Sequence, residues 1–170
     1  MSRSTSVEPI RTARLTLRAA RAEDLEPFWQ ILSDPVAMRH WSTAPHDSRA
    51  VTKDWLDQMI ARAGSGRERV IELDGRVVGK AGAHRLPEVG FILHPDVWGQ
   101  GIVTEAMTAI IAFVWATTDT DHLFADVDPR NAGSIRALEK LGFRETHRAE
   151  RTFCINGEWS DSVYLRLDRS

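Results

Sequence analysis

Two glycines separated by one residue lie just before a predicted helix, and they could bind an anion. Gly99 and Gly101 flank Gln100, and the apolar stripe of the helix begins near Thr104. Glycines let backbone amides approach a ligand without obstruction by side chains. The first turn of a helix adds N–H groups without intrahelical partners and a partial positive charge. The segment therefore favours binding of a pyrophosphate or a similar anion.

The elements around this turn alternate between strand and helix patterns. Apolar alternation predicts strands at residues 13–19, 69–73, 76–79, 89–93 and 122–127, and on both sides of Asn156-Gly157. Apolar stripes at helical spacing predict helices at residues 23–32, 51–62, 104–117 and 131–141. Asp74-Gly75 tolerates the positive φ angles of a two-residue hairpin turn. The order predicts one mixed α/β domain at residues 10–170, after a flexible tail at residues 1–9.

Composition excludes several classes of function. The chain has 170 residues, 42% of them apolar, and a formal net charge of -2, as in an ordinary globular protein. Neither nucleic acid nor a membrane surface is indicated as a partner, no apolar run approaches the ~20 residues of a bilayer span, and the start does not resemble a secretory signal. We therefore expect a cytoplasmic protein. The six histidines have no metal-ligand spacing, so no metal is expected.

Other phosphate-binding loops and an ordinary strand-to-helix turn compete for the glycine segment. A Walker loop requires a lysine, which is absent here. A Rossmann fingerprint requires a third glycine where Thr104 stands, together with a first-strand position and a following βαβ unit. Both nucleotide-binding alternatives are therefore disfavoured. The wider sequence context decides between an ordinary strand-to-helix turn and another kind of phosphate-binding loop.

Several short motifs occur in an order and at separations that are typical of one enzyme superfamily. They are ARLTLR at 13–18, EVGF at 88–91, WGQG at 98–101, TEA at 104–106, DPRNAGS at 128–134 and LEKLGF at 138–143. Together they resemble the GNAT N-acetyltransferases, in the branch of the Rim-type ribosomal-protein N-terminal acetyltransferases. Trp98 stands where the superfamily generally has Gln or Arg, although tryptophan is usual in this branch. Val103 replaces the usual last Gly or Ala of the coenzyme A pyrophosphate loop.

The resemblance implies the GNAT fold, a mixed α+β architecture. Its central, mostly antiparallel twisted sheet would have about seven strands, with splayed central strands and flanking helices. The pantetheine arm of acetyl-CoA, the cosubstrate, would enter between strands 89–93 and 122–127. The implied cofactor-binding residues are Phe91, Ile92, Leu93, Gly99, Gln100, Gly101, Val103, Thr104 and Asn131.

The resemblance also implies direct transfer of the acetyl group to an amine. Glu88, where its strand begins, is the predicted base, directly or through water; the alternative is an exposed carboxylate at a strand edge. Ser134 is the predicted proton donor to the thiolate, although Asn131 and Ser134 could equally cap a helix. Trp41 would lie at the acceptor mouth. A lone cysteine in an apolar strand, Cys154, is not expected to carry the acetyl group.

The sequence therefore predicts an acetyl-CoA-dependent N-acetyltransferase. Its acceptor would be a primary amine, either a protein N-terminal α-amine or a small-molecule amine. The alternative is a non-catalytic acetyl-CoA sensor or scaffold on the same fold, because fold does not fix function. We expect no nucleic-acid and no membrane partner. The oligomeric state is open, with a homodimer as one option.

Overall fold

The computed structural model describes residues 7–170. Its strands are β1 (Ile10–Arg11), β2 (Leu15–Arg18), β3 (Glu68–Leu73), β4 (Arg76–Arg85), β5 (Glu88–Leu93), β6 (His122–Val127), β7 (Arg144–Ile155) and β8 (Glu158–Asp168). Its helices are α1 (Leu25–Leu32), α2 (Arg49–Arg62), α3 (Ile102–Thr117) and α4 (Ala132–Lys140). Most of the predicted tail, residues 1–6, lies outside the described residues, and its division from one domain at 10–170 stays a prediction.

The described strands form one sheet in the order β1-β2-β3-β4-β5-β6-β8-β7. Every neighbouring pair is antiparallel except β5 and β6, which are parallel. The mixed α+β class is therefore confirmed. The sheet has eight strands where about seven were expected, because β1 has two residues and is too short for an alternating pattern.

Two apolar cores hold helices on opposite faces of this sheet. Buried residues of α3, including Ile102, Met107 and Ile110, pack with Leu123 of β6 and Leu138 of α4. On the other side, residues of α1 and α2 pack with Ile92 of β5, among them Phe28, Leu56 and Met59. Successive residues of β5 thus face different cores, because side chains alternate along a strand.

The parallel strands β5 and β6 meet at their first residues and then separate. Within the described residues their register has one pair, Glu88 with Phe124. The amide of Phe124 also donates to the carbonyl of Pro87 at 3.0 Å. The rest of β5 keeps its pairing with β4 but has no strand partner on the β6 side. An opening between the two central strands results, as the resemblance implies.

Candidate active site

A cleft of about 510 Å³ lies along this opening. It is lined by the end of β5, the glycine turn, one side of α4 along its whole length, and the loop after α1. The predicted site residues that line it are Phe91, Ile92, Leu93, Gly99, Gly101, Val103, Thr104, Asn131 and Ser134. Two predicted residues, Glu88 and Gln100, are not among the lining residues. The structure thus brings most of the sequence-predicted residues together in one cavity.

The glycine turn presents backbone amides to the cleft. Gly99 and Gly101 have φ angles of 73° and 75°, which an L side chain rarely adopts. Gly101 is the N-cap of α3, so the helix begins two residues before the expected Thr104. The first intrahelical bond there runs from the amide of Glu105 to the carbonyl of Gly101, at 3.0 Å. The amides of Ile102, Val103 and Thr104 therefore have no intrahelical acceptor and can bind an anion.

A network centred on Arg14 supports the outer side of this turn. Its Nη1 donates to the carbonyl of Gln100 at 2.9 Å, and its Nε donates to Oε2 of Glu105 at 2.7 Å. The hydroxyl of Thr12 donates to Oε1 of Glu105 at 2.7 Å. Partial burial opposes ionisation of Glu105, but the hydrogen bonds from Thr12 and Arg14 outweigh it and lower its pKa. Gln100 thus contributes a carbonyl to holding the turn.

Asn131 and Ser134 begin α4 on the same side of the cleft. The side-chain Oδ1 of Asn131 accepts a hydrogen bond from the backbone amide of Ser134 at 3.2 Å. Asn131 is thus the N-cap of α4, the structural alternative that the sequence left open. The bond uses the backbone of Ser134, which leaves the hydroxyl of Ser134 out of the cap. That hydroxyl belongs to a cleft-lining, half-buried residue.

Two cations on α4 line the cleft and were missed by the sequence analysis. Arg136 and Lys140 are four residues apart and so lie on the same side of the helix. Both are exposed, and neither makes an ion pair with another residue of the described range 7–170. The signal was present as an i, i+4 pair of basic residues after the Asn131 cap. Its meaning depends on the helix facing the glycine turn, which a linear pattern does not reveal.

The indole of Trp98 forms a hydrogen bond with the last residue of β5. Its Nε1 donates to the carbonyl of Leu93 at 3.1 Å, while the residue as a whole stays 49% exposed. Leu93 is one of the cofactor-binding residues that the resemblance implies. Part of the hydrogen-bonding capacity of its carbonyl is therefore already used. The amide of His94 donates to the carbonyl of Val78 on β4, so Ile92, two residues earlier, also turns its backbone groups to β4. Phe91 turns its own toward the opening on the β6 side.

The loop between α1 and α2 forms the opposite wall of the cleft. Val36, Ala37, Arg39, His40 and Trp41 line it there. Lys80 of β4 places its Nζ 5.6 Å from the centre of the Trp41 ring, which is a cation–π contact. Trp41 thus lies at the cleft, where the sequence analysis placed the acceptor mouth. The position of His40 at the cleft had not been predicted.

The predicted base, Glu88, lies at the far end of β5 from the glycine turn. Its Oε2 is 3.9 Å from Nε2 of His84, and the side chain is 29% exposed. Its assignment as the base stays a prediction. Cys154 is exposed on β7. No group of three or more His, Cys, Asp or Glu side chains within residues 7–170 could hold a metal ion, and no helix there is long and apolar enough for a bilayer span.

Comparison with known proteins gives independent evidence for the family of this chain. A family model described as an acetyltransferase (GNAT) domain matches residues 14–144. An uncharacterized N-acetyltransferase, p20 of Bacillus licheniformis, is 25% identical over 149 residues, which cover 82% of this chain and 84% of that protein. The ribosomal protein uS5-alanine N-acetyltransferase of Escherichia coli is 30% identical over 79 residues, 46% of this chain and 41% of that enzyme.

A solved structure shares the fold over nearly the whole chain. It is an acetyltransferase of Salmonella typhimurium that modifies the N-terminal serine of ribosomal protein L7/L12. The two superpose with a TM-score of 0.83 at 17% identity, covering 96% of this chain and 100% of that one. At this level of identity the similarity concerns the fold alone.

Proposed function

The chain belongs to the GNAT acetyltransferase family, and we propose that it transfers an acetyl group from acetyl-CoA directly to a primary amine. The observation that carries the proposal is one continuous cleft. It joins an anion-binding helix start, a strand edge without a partner, and the polar side chains of Asn131 and Ser134. The sequence relatives include an enzyme that acetylates a ribosomal protein at alanine, which supports an amine acceptor.

The residues of the cleft fit acetyl-CoA as the cosubstrate. Apart from its two chain neighbours, no described residue has a heavy atom within 4 Å of where a Cβ on Gly99 would be, so the backbone there is open to a ligand. The amides that begin α3, with Arg136 and Lys140 nearby, would bind the phosphates. The free edge of β5 at Phe91 would pair with the amides of the pantetheine arm in the manner of an added strand. The acetyl-CoA thioester supplies an activated acyl group.

Direct transfer requires one bond exchange and the loss of two protons from the amine. A primary ammonium must lose one proton to attack, since α-amines titrate near pH ~8 and lysines near ~10. The nitrogen then attacks the thioester carbonyl, the carbon–sulfur bond breaks and the nitrogen loses a second proton. We propose that the hydroxyl of Ser134 protonates the departing thiolate. If Glu88 is the base, it must remove the amine proton through water, because it does not line the cleft.

Replacing Ser134 by Ala should lower kcat about 10- to 100-fold, the weak end of general acid catalysis, because a thiolate is already a fair leaving group near neutral pH. Affinity for acetyl-CoA should not change. The helix cap should also survive, because the cap bond uses the backbone amide of residue 134. Steady-state kinetics and calorimetry check both expectations. Full activity in the Ala variant would mean that water protonates the thiolate.

The acceptor should be an α-amine or a small primary amine. His40 and Trp41 line one wall of the cleft. We expect this wall to restrict the acceptor mouth, which would disfavour lysines within a folded surface. A suitable experiment offers short peptides beginning with Ala, Ser or Met, free amino acids, polyamines and aminoglycosides, and measures released thiol. A folded protein with a blocked N-terminus is the internal-lysine control. Efficient acetylation of that control, with none of the free amines modified, would refute this choice of acceptor.

A further inference from the structure

His40 is a titratable side chain at the cleft that the transfer chemistry above does not use. It lies in the loop between α1 and α2, and its side chain is 21% exposed. It lines the same cavity as Asn131 and Ser134. Glu88, in contrast, does not line that cavity. His40 is therefore better placed than Glu88 to meet an acceptor that enters past Trp41.

The two ring nitrogens of His40 have different surroundings. Nδ1 is buried, has no hydrogen-bond partner among the described residues, and lies 3.7 Å from Oδ2 of Asp128. Among the described residues, Nδ1 is a buried ring nitrogen without a partner, whereas Nε2 is not. Nε2 therefore lies on the accessible edge of the ring. A small movement would give an Nδ1–H···Oδ2 hydrogen bond, and catalytic contacts of this kind commonly tighten when substrate binds. This arrangement favours the neutral tautomer with a lone pair on Nε2.

Asp128 is itself held in place. The Nε of Arg130 donates to its Oδ1 at 3.0 Å, and Nη2 donates to its Oδ2 at 2.7 Å. The backbone amide of Arg130 donates to Oδ1 at 2.9 Å. Burial opposes the charge on Asp128, but these hydrogen bonds outweigh it and hold its pKa below the usual value. A fixed carboxylate that is 7% exposed thus faces the buried side of the His40 ring.

Burial, supported by two nearby guanidinium groups, lowers the pKa of His40. Burial is the largest of these influences. The carboxylate of Asp128 opposes this shift, while the guanidinium groups of Arg130 and Arg39 add to it. The net direction is downward from the ordinary value of about 6.5. His40 is therefore unprotonated, and able to accept a proton, through the neutral range.

We propose that His40 is the catalytic base that takes a proton from the acceptor amine, and that Asp128 is a positioning residue that fixes its tautomer. The proposal rests on the proposed function. One proton of the acceptor ammonium goes to Nε2 of His40, which becomes an imidazolium. The second goes from nitrogen to the departing sulfur by way of Ser134, and the imidazolium then releases its proton to water. The products are the N-acetylated amine and the free coenzyme thiol.

The first test measures kcat/KM against pH for the wild type, His40→Asn and Glu88→Gln, with the most reactive amine of the acceptor panel. His40→Asn should lose about 100-fold at neutral pH, within the usual range for general bases. The wild-type rate should rise with pH through an ionisation below about 6.5, because the active form is the unprotonated ring. His40→Asn should lack this rise and Glu88→Gln should keep it. Unchanged activity in His40→Asn, or loss of the rise in Glu88→Gln alone, overturns the proposal.

A matched control is His46→Asn, in the same loop. The pKa of His46 is also lowered by burial, but its Nδ1 is 2.8 Å from the hydroxyl of Thr52 and it does not line the cleft. It should retain activity. Calorimetry should show unchanged acetyl-CoA affinity in His40→Asn. An affinity loss as large as the rate loss would make His40 a binding residue and overturn the proposal.

A second readout does not depend on turnover. Nitrogen NMR of the free wild type, with the His40 signal assigned by its absence from His40→Asn, should show the proton on Nδ1. Asp128→Asn should shift that population toward Nε2. A proton on Nε2 in the wild type overturns the role of Asp128 and of the free lone pair. A wild type inert toward every amine would instead refute the proposed function, while these spectra would still report the arrangement of His40.

Discussion

Gly101→Val is expected to lower the affinity for acetyl-CoA by about 1000-fold while the protein stays folded. Gly101 has a φ of 75°, and a β-branched residue is strongly disfavoured there. To relieve the strain, the turn must rotate and withdraw the amides at the start of α3. Losing two hydrogen bonds to a charged phosphate, each worth about 1.5–3 kcal/mol, accounts for a change of this size.

The strain itself should not unfold the chain. A residue held at an unfavourable φ costs roughly 1–3 kcal/mol, against a usual stability of about 5–15 kcal/mol. Gly75→Val is the matched control, because Gly75 has a φ of 76° in the β3–β4 turn with no atom near an added Cβ. It should lose similar stability but bind acetyl-CoA normally. Calorimetry measures the acetyl-CoA affinity of both variants, and melting curves measure their stability. Undiminished affinity in folded Gly101→Val would show that the phosphates bind elsewhere.

Reversing the charges of Arg136 and Lys140 together, as Arg136→Glu with Lys140→Glu, should weaken acetyl-CoA binding by at least about 100-fold, since each change turns an attraction into a repulsion. Both side chains line the cleft on one side of α4. They are exposed, so the fold should tolerate the change. The affinity of the wild type should also fall with added salt more steeply than that of the variant.

The control for this variant carries the same change in net charge on another helix. Arg49→Glu with Lys53→Glu alters two exposed cations of α2, which form ion pairs with the exposed acids Glu26 and Asp57. Such surface pairs contribute little to stability. Binding should stay near the wild-type value in this control. Equal loss of affinity in both variants would indicate a general effect of charge and would remove the two α4 cations from the site.

Local signals made much of the fold predictable. Asp74 and Gly75 have φ angles of 52° and 76°, and Asn156 and Gly157 have 52° and 81°, as expected of two-residue turns. The four helices were predicted because each buries one apolar side. The errors occur where local pattern is weak. The predicted strand at residues 76–79 was too short, since β4 extends to Arg85. The buried residues of β4 face both cores and form a continuous run, so the alternation typical of a half-buried strand is missing.

The candidate site was predictable where it is contiguous in sequence. The glycine turn, Asn131 and Ser134 fall within short motifs, and the family resemblance supplied their expected roles. The contacts of Arg14 with Gln100 and of His40 with Asp128 join distant parts of the chain, so no local pattern indicates them. Glu88 shows the converse difficulty. Its place at the start of β5 was correct, but which residues line the cleft depends on where β5 and β6 separate.

The most direct test of the account is amine-dependent release of the coenzyme thiol by the wild-type protein. Acetyl-CoA is supplied with and without the best acceptor of the panel, and thiol and acetylated product are both quantified. We expect one acetylated amine for each thiol released, little release without the amine, and no acetyl group on the protein itself, including at Cys154. Acetyl-CoA binding without amine-dependent release would contradict the account and would favour a sensor or scaffold on the same fold.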